Sequence, residues 1–253
     1  MKIINKPIGI TPNQLRIQLI NNGELSKKSC YAGRLDPMAR GKMLFLENNE
    51  LKNMDMYLNK SKTYQFEIIL GLSTDTDDIM GLLDGDIQLL QNIDNVKSSI
   101  EKRIHYLKKN GQNAQKYHPY SSFVLKKNGV KKQLWKWKSI HQLTYDELPS
   151  KEVSLYDIHI VEHHTYTGEY LLNEFINRVD SVDKSYSFRQ AEIINQWKSI
   201  LNTNTDNVIY SIKMELSASS GYYIRQFGYD LKHELKFPLL IYDIYRTDLF
   251  TPL

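Results

Sequence analysis

Cysteine is almost absent from this chain. Cys30 is the only one in 253 residues, so no internal disulfide can form, and a reducing compartment is the simple expectation. No stretch approaches the ~18 consecutive apolar residues that a membrane-spanning helix needs, and the first recognisable motif begins at Lys6, which leaves no room for a signal or transit peptide. Metal chemistry finds little support. The seven histidines, His163-His164 included, show no ligand spacing with cysteine or carboxylate. Asp75, Asp77 and Asp78 crowd together without the spacing of a calcium loop, so caps and turn contacts are expected of them, with one acid orienting a site residue. Gly9 and Gly23 form no phosphate-cradling loop. No metal or cofactor is therefore expected. Cys30 lies close to Asp36 but has no partner base in the sequence, and reads as a small packed residue.

What is present is a globular composition, 41% hydrophobic and 25% charged, in a chain long enough to bury a sizeable core within one domain. The net charge of +4 is unevenly spread. Between Lys97 and Lys138 stand twelve Lys/Arg and one acid, Glu101, a surplus of +11 that leaves the rest of the chain at −7. Tyr106, Tyr117, Tyr120, Phe123, Trp135 and Trp137 interleave with these cations. Cations for phosphate and aromatics for base stacking together predict an RNA surface in the segment at about 97–138.

Thr11 and Pro12 predict a helix start, with Gly23 ending that helix. A buried strand is expected over 41–46, a short helix over 50–58, and an alternating strand over 63–70 that carries Tyr64. Residues 71–85 read as polar loop, and 88–117 as a helix followed by a polar excursion. Strands follow over 153–162, 208–216 and 239–245, and helices over 188–201 and 223–235. Strands scattered among helices without βαβ regularity predict an α+β fold around a mixed or antiparallel sheet.

The most informative stretch is Gly33-Arg34-Leu35-Asp36-Pro37-Met38-Ala39-Arg40-Gly41, a carboxylate on a turn stiffened by proline and bounded by glycines. Lys6-Pro7-Ile8-Gly9-Ile10-Thr11 precedes it. Lys62-Thr63-Tyr64, then Leu70-Gly71 with Thr74-Asp75-Thr76-Asp77-Asp78, follow, and Gly221-Tyr222-Tyr223-Ile224-Arg225 closes the series. In this order the segments resemble the TruB family of RNA pseudouridine synthases, over most of the chain from Lys6 to Arg246. His118-Pro119-Tyr120-Ser121-Ser122 with Lys127-Asn128-Gly129 is similar to the family's RNA-facing loop.

The resemblance implies a pseudouridine synthase fold, a central mixed or antiparallel sheet flanked by helices, and one catalytic domain over 1–253 without the C-terminal RNA-binding domain many members carry. It implies isomerisation of uridine to pseudouridine in structured RNA, most simply in the T-loop of tRNA. Asp36 would be the catalytic carboxylate, covalent at the sugar or a base, Tyr64 the residue stacked on the base, and Arg225 the cation that keeps Asp36 ionised where burial alone would raise its pKa. The expected RNA contacts are Tyr31, Arg34, Tyr120, Lys126, Lys127, Lys131 and Lys132. The expected partner is RNA, tRNA first, with no membrane; protein partners in a ribonucleoprotein stay open, as does the choice between cytoplasm, nucleus and organelle.

Four positions depart from the family pattern. Tyr31 stands where a histidine is usual, Arg34 and Tyr222 where threonine is usual, and Pro12 where serine follows threonine. Arg34 either meets a phosphate or competes with Arg225 for Asp36. These departures leave a second reading, an RNA-folding or assembly factor on the same scaffold without catalysis. A sugar hydrolase would need a second acid across the bond, and none lies near Asp36 in the sequence.

Overall fold

The computed structural model describes residues 1–140, 143–185 and 188–250. Its frame is an eight-stranded mixed sheet. The strands are β1 (Lys2–Lys6), β2 (Ser29–Ala32), β3 (Ala39–Glu47), β4 (Lys62–Leu70), β5 (Gln112–Lys116), β8 (Ser150–Thr167), β9 (Val208–Ala218) and β10 (Leu239–Leu249), and β6 (Val124–Lys127) and β7 (Val130–Gln133) form a separate hairpin. Along the sheet the order is β1-β3-β10-β4-β9-β8-β5, with β2 also on β3. Among the described strands of this sheet β3 and β10 run parallel and the other pairs antiparallel. The expected α+β class and mixed sheet are what the chain forms.

Alternation along the central strands sends side chains to two cores. Phe66, Ile68 and Leu70 of β4, with Ile212, Met214 and Leu216 of β9, face one side; there they meet α1 (Pro12–Asn21), α3 (Asp94–Asn110) and α7 (Ile224–Leu235). Ile69, Ile209, Leu240 and Tyr242 face the other, against α5 (Gly168–Asp180) and α6 (Gln190–Asn202). A period of two in the strands and of 3.6 in the helices is thus what makes a layer on each face.

Helix α1 starts as its sequence predicts. The Thr11 hydroxyl accepts from the Gln14 amide, the Gln14 side chain accepts from Thr11 N–H, and Pro12 occupies the first turn; a capping box of this kind stabilises by about 1 kcal/mol. The expected helix over 50–58 divides into a 3₁₀ turn, Asn48–Asn53, and α2 (Met54–Leu58). Helix α5 was not foreseen, although Leu171, Leu172, Phe175 and Val179 carry its buried stripe and Thr167 caps it.

The basic segment does not form one surface. Its first part is α3, which buries Ile100, Ile104 and Leu107 against the sheet. The next part is the edge strand β5 on β8. The rest forms an arch with its own small core, in which Leu134 and Trp137 of α4 (Leu134–Ser139) pack with Leu143 and Leu148 and are flanked by Tyr117, Phe123 and Leu125. Trp137 is therefore a core residue, not a base-stacking platform: it is buried, and its indole N–H donates to Leu125 O.

Candidate active site

Asp36 stands on a turn held from three sides. Ala39 N–H donates to Asp36 O at 3.0 Å, Gly9 N–H to Pro37 O at 3.0 Å, and the buried Lys6 ammonium to Pro37 O at 3.3 Å. Gly41 closes the turn at φ +111°, where any Cβ would lie 2.4 Å from Arg246 O, so only glycine lets β3 approach β10 here. Lys6 spends its other two donors on Pro7 O and Ile10 O. Burial pulls its pKa down to about 7, with Asp36 opposing the shift and Arg246 adding to it.

Arg225 enters from the first turn of α7, where the helix dipole disfavours a cation. The compensation comes from two acids. Its Nε and Nη2 both donate to Asp36 Oδ2, at 2.9 and 2.7 Å, and Nη1 lies 3.5 Å from Asp78 Oδ2. Burial works against this charge, yet Asp36 and then Asp78 outweigh it and hold the guanidinium above its ordinary pKa. The contact places two donors on one oxygen, and Asp36 Oδ1 is left without a hydrogen bond among the described residues. The Arg225 side chain is 8% exposed and that of Asp36 42%, so the pair is anchored on one side and open on the other.

The Thr74–Asp78 loop is the scaffold beneath. Asp78 accepts from Thr76 Oγ1 and Met80 N–H, and burial pushes its pKa up despite Arg225. Asp75 holds Arg189 at 2.7 Å and accepts from Tyr120 OH at 2.9 Å. Asp77 takes Lys232 at 2.5 Å and the buried His118 Nε2 at 3.0 Å. Tyr120 N–H donates to His118 Nδ1, so Nε2 carries the ring proton and the imidazole is neutral. Burial, then Arg225, lowers the His118 pKa and agrees with that tautomer. Asp75, which accepts from Leu82 N–H, and Asp78, which accepts from Met80 N–H, make the turn contacts expected of them, whereas the Asp77 carboxylate is spent on distant side chains; Asp78 is the one that orients Arg225.

Above this lies a cleft of about 520 Å³, and Asp36, Tyr64, Arg225, Tyr31 and Arg34 all line it. Tyr64 reaches it from β4, in register with Arg246 on β10 and Leu216 on β9. Tyr31 packs edge-on to Phe45. Arg34 does not compete for Asp36: its Nη1 donates to Ser122 Oγ at 2.7 Å and ties the turn to the arch. The rings of Tyr117 and Phe123 pack tilted at 4.0 Å and also line the cleft, with Tyr117 against Tyr223 at 5.4 Å.

The remaining expected contacts divide. Tyr120 points to Asp75 with Arg189 over its ring, and does not line the cleft. Lys127 pairs with Glu147 and Lys132 lies 4.7 Å over Trp137, so both serve the arch itself. Lys126 and Lys131 are exposed and directly opposed in the β6–β7 hairpin. Sequence reasoning gave no role to Lys62, although it opens the Lys62-Thr63-Tyr64 motif, or to Arg246; both are buried and both line the cleft. An arginine inside the apolar run of β10 was the available signal.

The fold is that of pseudouridine synthases. A crystal structure of a Cbf5-Nop10-Gar1 complex matches it with a TM-score of 0.50 at 14% identity, over 99% of this chain and 50% of that one. The chain belongs to the TruB family: the model described as "TruB family pseudouridylate synthase (N terminal domain)" matches residues 23–175. Relatives named tRNA pseudouridine synthase B include one from Mesoplasma florum, 43% identical over 31% of this chain and 27% of its own length. Others are from Bacillus subtilis, 29% identical over 66% of this chain and 52% of its own length, and Mycoplasma capricolum, 30% identical over 68% and 55%. The chain thus spans about half, or less, of the curated relatives it matches. No helix among the described residues is long and apolar enough to cross a membrane.

Proposed function

We propose that this protein isomerises uridine to pseudouridine in structured RNA, the T-loop of tRNA being the first candidate, as one pseudouridine synthase domain with an RNA-binding arch. The observation that carries the reading is Asp36: Arg225 holds one carboxylate oxygen, the other has no hydrogen-bond donor among the described residues, and Tyr64 lines the same cleft. The names of the relatives point the same way.

The reaction moves one bond and is internally balanced. The N1–C1′ bond breaks, the freed base turns over, and C5 bonds to C1′; the proton on C5 leaves and N1 gains one. Asp36 acts either on C1′ or as the base that forms a glycal, and both roles need it ionised. Arg225 sets an opposite charge 2.7 Å from Asp36 Oδ2. Tyr64 stacks on the base once it has left its loop, offsetting part of an extrusion cost of a few kcal/mol. RNA would meet Tyr31 at the cleft and Lys126 and Lys131 on the hairpin, while Arg34 positions the arch. The single cysteine fits an intracellular, reducing compartment. A non-catalytic RNA-folding factor is favoured by no observation, since the Asp36–Arg225 pair is fully formed.

The test is conversion of uridine in a T-loop tRNA transcript by wild type and Asp36→Asn. Wild type should convert it, and the variant should lose conversion while binding the RNA within about threefold of wild type, because the carboxylate is not a phosphate contact. A variant that still turns over would remove Asp36 from the role.

A further inference from the structure

We propose that the cleft carries a second, anion-binding subsite in which Lys62 and Arg246 take a phosphate of the nucleotide whose base enters beside Asp36. The inference rests on the uridine reading of the cleft and concerns how the nucleotide is held there.

Lys62 and Arg246 are 5% and 1% exposed, and both line the cleft. Neither makes an ion pair among the described residues. Lys62 donates only to carbonyls, Leu58 O at 2.9 Å and Lys60 O at 2.5 Å. Arg246 donates from Nε to Lys42 O at 2.6 Å and from Nη1 to Arg34 O at 3.2 Å, and its buried Nη2 has no partner. The two cations converge on one strip of wall. A Cβ built on Gly33 would lie 3.7 Å from Arg246 Nη1 and 3.8 Å from Lys62 Cε.

Two buried cations without an acid are costly, because desolvation is not repaid by a counter-charge. The cleft's acid, Asp36, is bound to Arg225 and does not compensate them. The strain registers on Lys62: burial, then the charges of Arg246 and Lys151, pull its pKa down to about 8. A group that arrives with the substrate, carries one negative charge and accepts several hydrogen bonds would relieve the imbalance, and every nucleotide of RNA brings a phosphodiester of that kind. Free nucleoside lacks it, so the subsite would also favour polymer over nucleoside.

The test uses a synthetic T-loop stem-loop in which the phosphate 5′ or 3′ of the target uridine is replaced by a neutral methylphosphonate. Each RNA is turned over by wild type and by Lys62→Gln, which keeps donors for the two carbonyls. At one of the two positions wild type should lose about 10- to 100-fold in kcat/KM, and Lys62→Gln, already slower on the native RNA, should lose no more than about threefold further. Lys62→Arg should recover the sensitivity to the neutral linkage. Indifference of wild type to both neutral linkages, as expected if only water fills the gap at Arg246 Nη2, would overturn the subsite. Equal losses in wild type and Lys62→Gln would overturn it too. Failure of wild type to convert even the native RNA would instead sink the isomerase reading, and the same comparison made in Kd would then decide the subsite alone.

Discussion

At the scale of single residues, the site is organised by cations buried against their electrostatic preference. Lys6 is the clearest case. It donates to three carbonyls, one of them the carbonyl that follows Asp36, while its pKa sits near 7 because burial opposes its charge. A lysine with a lowered folded pKa binds fewer protons than the unfolded chain between that value and the ordinary lysine range. Stability must therefore rise with pH from about 7 upward, and the burden is greatest below 7. The urea midpoint of wild type should increase between pH 7 and 9, and Lys6→Met should remove a large part of that increase while lowering turnover by loosening the Asp36 turn. Equal slopes in the two proteins would show that Lys6 stays charged in the fold at no cost. Histidine 118 acts on the acid side: its lowered pKa makes protonation destabilising as pH falls below the ordinary histidine value.

At the scale of elements, the β6–β7 hairpin is built against its own charge. Lys126 faces Lys131 directly across the pair, and like charges so placed destabilise. Asn128 and Gly129, at φ +51° and +80°, supply the two left-handed residues that a tight hairpin turn needs. Lys126→Glu should thus stabilise the hairpin by about 0.2–1 kcal/mol, turning repulsion into attraction. The same change should weaken RNA binding and reduce the salt slope of log Kd by roughly 0.7–0.9 per lost phosphate contact. Denaturation and salt titration together check it. Greater stability with unchanged affinity would make the hairpin a solvated surface. The residues joined to the arch interior, Lys127 and Lys132, should show the opposite balance, since their partners are Glu147 and Trp137.

At the scale of the whole molecule, the arch has a core separate from the two that flank the sheet, so its order and the order of the sheet are separable. It is tied to the rest by side-chain contacts, among them His118 on Asp77, Tyr120 on Asp75, Arg34 on Ser122, Tyr117 against Tyr223 and Tyr145 stacked on Tyr229. Trp137→Ala should cost about 3–5 kcal/mol of local packing. Hydrogen exchange should then quicken over 117–149 and leave β4, β9 and β10 protected, with RNA affinity falling. A global loss of protection would show that the arch and sheet unfold as one unit.

The turn at Asp36, the cap of α1 and the strand bearing Tyr64 were legible in the sequence because each depends on neighbours a few residues away: proline beside the carboxylate, threonine before proline, alternation along Thr63 to Leu70. The pairing of Asp36 with Arg225 was reached through motif order, because the two are distant in sequence and only the packing of α7 beside the turn joins them. Other features had no local signature at all. Trp137 looked like a stacking platform until the arch closed around it, and the basic run looked continuous until β5 joined the sheet edge and divided it. The charges of Lys62 and Arg246, which no acid among the described residues pairs, come together only where β4, β10 and the Asp36 turn meet. Local backbone chemistry determines where a chain turns and which faces it hides, whereas the burial of one charge beside another is decided by contacts between distant segments, which only the tertiary structure sets.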